Sequence, residues 1–124
     1  MENRFYICET CGKMIGMIKK TPCPVMCCGK PMKELVPGES DGAVEKHVPV
    51  YEREGNVLHV TVGSTEHPSI PEHHIEWIAV ETSQGMQRKV LTPGEPPKAD
   101  FALLDGEEVK AVYEYCNLHG LFKG

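Results

Sequence analysis

The sequence predicts an all-β protein in two parts: a small metal-stabilised domain over residues 1–37 and a β-sandwich over residues 38–124. Three observations carry this reading. Twelve Gly and ten Pro are spread through 124 residues, which favours short strands and turns over long helices. From Gly38 onward, turn signals separate runs of alternating apolar residues, the pattern of a sandwich. Five of the six cysteines fall before residue 30, in a stretch too short to fold on apolar burial alone.

In the first segment, ICETCGKMIGMIKKTPCPVMCCGKPMKEL, Cys8 and Cys11 form a C-x-x-C followed by Gly12, and Cys27 and Cys28 stand directly before Gly29. Each glycine suits a tight turn whose N–H groups face sulfur. Four sulfurs so arranged imply a closed tetrahedral site, for which iron and zinc are the candidates.

The second segment reads as strands. HVPVYERE and VLHVTVGS flank Gly55-Asn56, a hairpin signal. HIEWIAVET and MQRKVLTPG flank Ser83-Gln84-Gly85, and ADFALL and VKAVYEYC flank Asp105-Gly106; this succession of short strands predicts an immunoglobulin-like sandwich. In the last strand Val109, Ala111, Tyr113 and Tyr115 share one face, with Lys110, Val112, Glu114 and Cys116 on the other.

Charge narrows the class of partner. Residues 1–36 hold six Lys or Arg against three acids, and residues 37–124 hold seven against fifteen. No concentrated basic face is present, so nucleic acid is not an expected partner. The N-terminal stretch MENRFYICET does not resemble a signal peptide, and no run approaches the ~20 apolar residues that span a bilayer. The expected location is the cytoplasm, with no membrane association. There cysteines serve metal binding or redox chemistry better than disulfides.

Four stretches look like ligand sources: EKHVPV (Glu45 to Val50), EHP (Glu66 to Pro68), EHHIEW (Glu72 to Trp77) and CNLHG (Cys116 to Gly120). They lie far apart in sequence, so only a folded sandwich brings them together. At these residues the chain resembles the desulfoferrodoxins, the two-centre superoxide reductases. The C-x-x-C and C-C-G pattern resembles their small rubredoxin- or desulforedoxin-like domain. E-K-H-V-P-V, G-S-x-x-H-P, H-x-I-E-W and Y-C-N-L-H-G resemble their catalytic domain, in order and approximate spacing.

The resemblance implies two iron centres. Cys8, Cys11, Cys27 and Cys28 hold one; His47, His67, His73 and His119 supply equatorial nitrogens to the other, with Cys116 as axial thiolate and the opposite position open. It places Glu45 and Lys46 beside that position, the carboxylate as a ligand of oxidised iron and the ammonium as an attractor of the anionic substrate. The implied reaction is one-electron reduction of superoxide to hydrogen peroxide. Rubredoxin or a similar carrier is the implied donor, and a homodimer the implied assembly.

Two residues depart from the family pattern. His74 stands where the family has an aromatic residue, so EHHIEW offers two histidines; spacing from Trp77 and from His67 selects His73. Cys23 is an extra thiol, since the interval from Cys11 to Cys27 already resembles the family's. His59 reads as an exposed strand residue and Trp77 as core. A rival class stays open here: a non-catalytic metal protein, either a carrier using the four-cysteine iron alone or a zinc-stabilised binding module. Against it stands the mixed histidine–cysteine set with an open position, because structural sites are closed.

Overall fold

The computed structural model describes residues 5–38, 44–63 and 67–124, without the side chains of Val44 and Glu45. The chain divides into two compact units, Met1–Pro37 and Gly38–Gly124.

In the first unit, β1 (Phe5–Ile7), β2 (Met14–Gly16) and β5 (Lys33–Glu34) form an antiparallel sheet in the order β2-β1-β5. A hairpin of β3 (Met26–Cys27) and β4 (Lys30–Pro31) stands beside it in sequence, paired Met26 to Pro31 and Cys27 to Lys30. Among the described residues, its buried apolar side chains are Phe5, Met32 and Cys8. That is far less than a self-supporting core requires, so the cysteine cluster must supply the remaining constraint.

The second unit opens with a single turn of helix, α1 (Val44–His47), where the sequence suggested a strand beginning at His47. Pro49 starts β6 (Pro49–Glu54), and the residue before a proline-led segment is pushed from helical to extended backbone. β6 turns through Gly55-Asn56 into β7 (Val57–Val62). Next come β8 (Ile75–Thr82), β9 (Gly85–Val90), β10 (Lys98–Ala102), β11 (Val109–Cys116) and β12 (Gly120–Lys123).

Two antiparallel sheets result, ordered β10-β7-β6 and β12-β11-β8-β9. Their facing sides share one core. Leu58, Val60 and Val62 come from β7 and Ala99 and Phe101 from β10, while Ile78, Val80, Val112 and Cys116 come from the other sheet. The strict in-out alternation of β7 and β10 marks a sheet with one wet face.

Three further details differ from the sequence reading. Thr82 pairs with Gly85, so the β8–β9 turn is Ser83-Gln84 and Gly85 belongs to the strand. Asp105-Gly106 does not close a hairpin, because β10 pairs with β7 whereas β11 pairs with β8 and β12. Side chains redirect that crossing. Glu107 accepts the Leu104 N–H at 2.8 Å and the Thr82 hydroxyl, and Arg53 donates to the carbonyls of Leu104, at 2.9 Å, and Glu107. The Thr82 hydroxyl and the Leu104 N–H hold the Glu107 carboxyl below its ordinary range. Finally, β12 was not anticipated. Its pairing from Cys116–Gly120 to Tyr113–Lys123 folds the C-terminus back over β11.

Candidate metal centres

Four sulfurs converge in the first unit. The Sγ atoms of Cys8, Cys11, Cys27 and Cys28 all lie within 4.8 Å of one another, and those of Cys11 and Cys27 are 3.8 Å apart. Cys8 directly follows β1; its N–H donates to the Lys13 carbonyl at 2.8 Å and its carbonyl accepts Gly12 N–H at 2.8 Å, curling the chain so that Cys11 returns beside it. Cys28 has φ of 52° and Gly29 of 75°. Glycine takes that conformation freely and cysteine does not, so the cluster holds Cys28 in a turn it would otherwise avoid. Cys23 is exposed and lies outside the group.

These thiols differ in readiness to ionise. The Cys11 backbone N–H leads the effects that bring Cys8 down to about 6. Hydrogen bonds with Cys11, Cys8 and Cys27 push Cys28 up to about 12, and similar bonds raise Cys27. Cys8 therefore forms a thiolate readily, and Cys27 and Cys28 retain their protons until a cation displaces them. An all-sulfur tetrahedral set fits iron or zinc.

The second cluster is mixed. Donor atoms of His47, His67, His73 and Cys116 lie within 4.8 Å of one another. His119 completes a ring of imidazoles: its Nδ1 is 3.0 Å from His47 Nε2 and 3.9 Å from Cys116 Sγ. Successive ring centroids around His47, His67, His73 and His119 are 4.7, 4.6, 5.3 and 4.7 Å apart, each pair edge-on. His47 and His73 face each other across 6.2 Å, nearly parallel. The four rings thus form a square, and Cys116 Sγ approaches His67 Nε2 at 3.5 Å.

Each donor is fixed by the element that carries it. His47 closes α1 and stacks on Phe122 of β12 at 4.8 Å. His67 precedes Pro68, and Ser69 ties this stretch to a second loop by donating to the Glu95 carbonyl at 2.6 Å and accepting Gly94 N–H at 2.9 Å. His73 is bridged to Ile70. Cys116 ends β11, and His119 occupies the turn into β12.

Electrostatics make these imidazoles good donors. His67 Nδ1 sits 2.7 Å from the Pro68 carbonyl, which only accepts, so Nδ1 carries the proton and Nε2 presents its lone pair. Burial brings His67 down to about 4, so it is neutral at physiological pH. Burial also lowers His73, helped by the charges of His119, His47 and Lys46. Burial raises the Cys116 thiol, opposed by the N–H groups of Leu118 and His119. The Nε2 of His73 is buried with no hydrogen-bond partner among the described residues. A buried nitrogen left unsatisfied is costly unless a ligand takes its lone pair. Four imidazole nitrogens and one sulfur around one point suit a borderline transition-metal ion such as iron.

Lys46 is exposed and adjoins His47, whereas the Glu45 side chain lies outside the described residues. His74 is not in the donor group, and its Nδ1 has no hydrogen-bond partner among the described residues. His59 pairs with Asp100 at 2.6 Å and Glu54 at 3.4 Å, both at the surface. Trp77 is buried and stacks on Tyr115 at 5.9 Å.

Comparison with known proteins agrees with this geometry. A family model described as Desulfoferrodoxin matches residues 39–124. The desulfoferrodoxin of Nitratidesulfovibrio vulgaris is 42% identical over 125 residues, covering 99% of this chain and 98% of that one. The chain belongs to the desulfoferrodoxin family. A desulfoferrodoxin homolog of Archaeoglobus fulgidus is 43% identical over 118 residues, covering 95% of this chain and 93% of its own. The crystal structure of the superoxide reductase from Treponema pallidum superposes with a TM-score of 0.85 at 36% identity, covering 100% of this chain and 99% of that one.

Desulfoferrodoxin membership gives both clusters the same metal, iron, as the resemblance implied. Sequence reasoning overlooked the residues that hold these ligands: Phe122 against His47, the Pro68 carbonyl behind His67, and Asn117 beneath His73. It placed Glu114 on the Cys116 face without noting the consequence. Both faces of β11 are buried from Ala111 onward, so Glu114 is fully buried with both carboxyl oxygens unpartnered among the described residues. Burial pushes it up to about 9.

Proposed function

We propose that this desulfoferrodoxin is a superoxide reductase. One electron and two protons are added to superoxide, giving hydrogen peroxide, at the centre formed by His47, His67, His73, His119 and Cys116. The observation that carries this is the square of four imidazoles, two of them buried, with Cys116 sulfur beside it, in a chain that superposes along its whole length on a superoxide reductase.

Iron held by these five residues would supply one-electron redox chemistry, and the Cys116 thiolate would lend it electron density. The protein does the rest. Burial keeps His67 neutral and the Pro68 carbonyl keeps its Nε2 lone pair turned inward. The N–H groups of Leu118 and His119 stabilise negative charge on Cys116. Lys46, exposed and charged, draws the substrate anion toward a chain whose net charge of −5 would otherwise repel it. Glu45, on the same short helix, is assigned to the oxidised iron.

Residues 1–37 are the desulforedoxin-like domain, holding iron through Cys8, Cys11, Cys27 and Cys28, and residues 38–124 are the catalytic domain. Electrons come from rubredoxin or a similar small carrier, and the working unit is a homodimer. No helix among the described residues is long and apolar enough to cross a membrane, and the cytoplasm is the proposed location. Reduction without release of oxygen suits an anaerobe.

Metal analysis combined with oxidant titration tests the reading. Two irons per chain and two visible bands that bleach and return at separate potentials are expected, together with rapid superoxide consumption in pulse radiolysis. A colourless zinc protein, or a coloured one inert to superoxide, would overturn it.

A further inference from the structure

We infer that Asn117 is a positioning residue for the mixed centre: its carboxamide prolongs the β8–β11 ladder beyond the last backbone pair and fixes the His73 segment against the Cys116–His119 turn. The inference rests on the ligand set proposed above.

The ladder between β8 and β11 runs to Cys116 opposite Ile75, after a bulge that passes over Glu76. One further backbone bond follows, from Asn117 N–H to the His74 carbonyl at 3.2 Å. Beyond it the chain turns toward β12, and among the described residues no strand pairs with residues 72–74, His73 making only an isolated bridge to Ile70. The Asn117 side chain takes over. Its Oδ1 accepts His74 N–H at 2.9 Å, and its Nδ2 donates to the Glu72 carbonyl at 3.0 Å.

A carboxamide presents a donor and an acceptor on one rigid plane, as a peptide group does. Aspartate keeps only the acceptor, and leucine offers neither. The two bonds bracket His73, whose own N–H and carbonyl are both taken by Ile70 at 3.1 Å. The backbone on both sides of this ligand is therefore pinned. That matters because His73 Nε2, buried with no hydrogen-bond partner among the described residues, stands where this backbone sets it. Asn117 also stands between Cys116 and His119 in the chain, so one side chain ties the segments carrying three of the five donors.

The test uses the iron-loaded full-length chain, with Asn117→Ala, Asn117→Asp and Thr82→Val as variants. Thr82 bonds Glu107 in the β10–β11 crossing and belongs to neither donor group, so its variant reports ordinary destabilisation. Three quantities are read: the thiolate-to-ferric charge-transfer band, the rate at which iron passes to a ferrous chelator, and the melting midpoint. Loss of such supporting bonds typically costs about 10–100-fold in metal affinity or activity. Asn117→Ala is expected to shift the band and speed iron loss by about that factor. Asn117→Asp, keeping the bond from His74 N–H, is expected to fall between Ala and wild type. Thr82→Val is expected to lower the midpoint with the wild-type band and release rate.

Wild-type band and release rate in both Asn117 variants would overturn the positioning role, as would Thr82→Val reproducing the Ala shift. Should Asn117→Ala fail to fold, Asn117→Asp decides alone by the same criterion. The wild-type spectrum is read first, since absence of a thiolate–iron band there would overturn the ligand set itself.

Discussion

The Nε2 atoms of His47 and His67 face each other at 3.2 Å inside the protein, and His47 Nε2 also stands 3.0 Å from Nδ1 of His119. A single N–H on His47 can satisfy one of these neighbours and not both. With the His67 proton committed to Pro68, the nitrogens converge as lone pairs, an arrangement that repels until a cation is shared among them. The remaining expectations follow from this donor set and its surroundings.

Cys116→Ser replaces a soft thiolate by a hard oxygen at the centre. Changes one bond further out already cost about 10–100-fold, so loss of more than about 100-fold in superoxide reduction is expected. The four-cysteine group should still load iron and keep its own visible band. Near-normal turnover by pulse radiolysis would remove Cys116 from the ligand set.

Cys27→Ser breaks the sulfur group of the first unit, whose few buried apolar residues cannot hold it folded unaided. Loss of the corresponding band and of protease resistance within residues 1–37 is expected, with reaction at the second centre retained. A variant that no longer consumed superoxide would show that the two centres do not work separately.

Lys46→Ala should slow the bimolecular reaction with superoxide and flatten its salt dependence, because the chain's net charge of −5 repels an anion and local positive charge must steer it. The expected loss is on the order of 10-fold at low ionic strength, shrinking as the screening length falls below about 8–10 Å. Glu45→Ala should leave that first step largely intact. An unchanged rate and salt slope for Lys46→Ala would reduce this lysine to a solvated surface residue.

His59 supplies a pH test at a residue that belongs to neither donor group. Hydrogen bonds to Asp100 first and Glu54 second raise its pKa above the ordinary 6.5. A raised folded value means that the folded chain holds the proton more tightly. The stabilisation is therefore complete below about 6.5 and is lost as pH rises through the folded value. His59→Gln should lower the melting midpoint relative to wild type most at about pH 5.5 and hardly at all by about pH 9. A difference that stayed constant across this range would mean the pair contributes nothing through charge.

Much of this was legible in the linear chain because local chemistry is written locally. The C-x-x-C and C-C-G turns, the Gly55-Asn56 hairpin and the two-residue alternation of β7 each depend on neighbours a few residues away. Matching the family's spacing from Trp77 and His67 separated His73 from His74, and in the fold it is His73 that stands in the donor group. Residues whose role depends on distant segments were not legible. Asp105-Gly106 has the look of a hairpin turn, but whether such a turn closes a hairpin or crosses between sheets is decided by Thr82, Arg53 and Glu107, remote in sequence from one another. Asn117 reads as a spacer between Cys116 and His119 until the fold sets it beneath Glu72 and His74.

The sequence by itself determined the all-β class and the two cysteine pairs, since residue type and short-range spacing carry that information, and its resemblance to the desulfoferrodoxins implied which nitrogen and sulfur donors to expect. Tertiary structure alone decided that the four imidazoles form a square, that His67 turns its Nε2 inward, and that Glu114 is enclosed with no hydrogen-bond partner among the described residues. The physical reason is that orientation and desolvation are properties of what surrounds a side chain, and segments separated by tens of residues supply those surroundings.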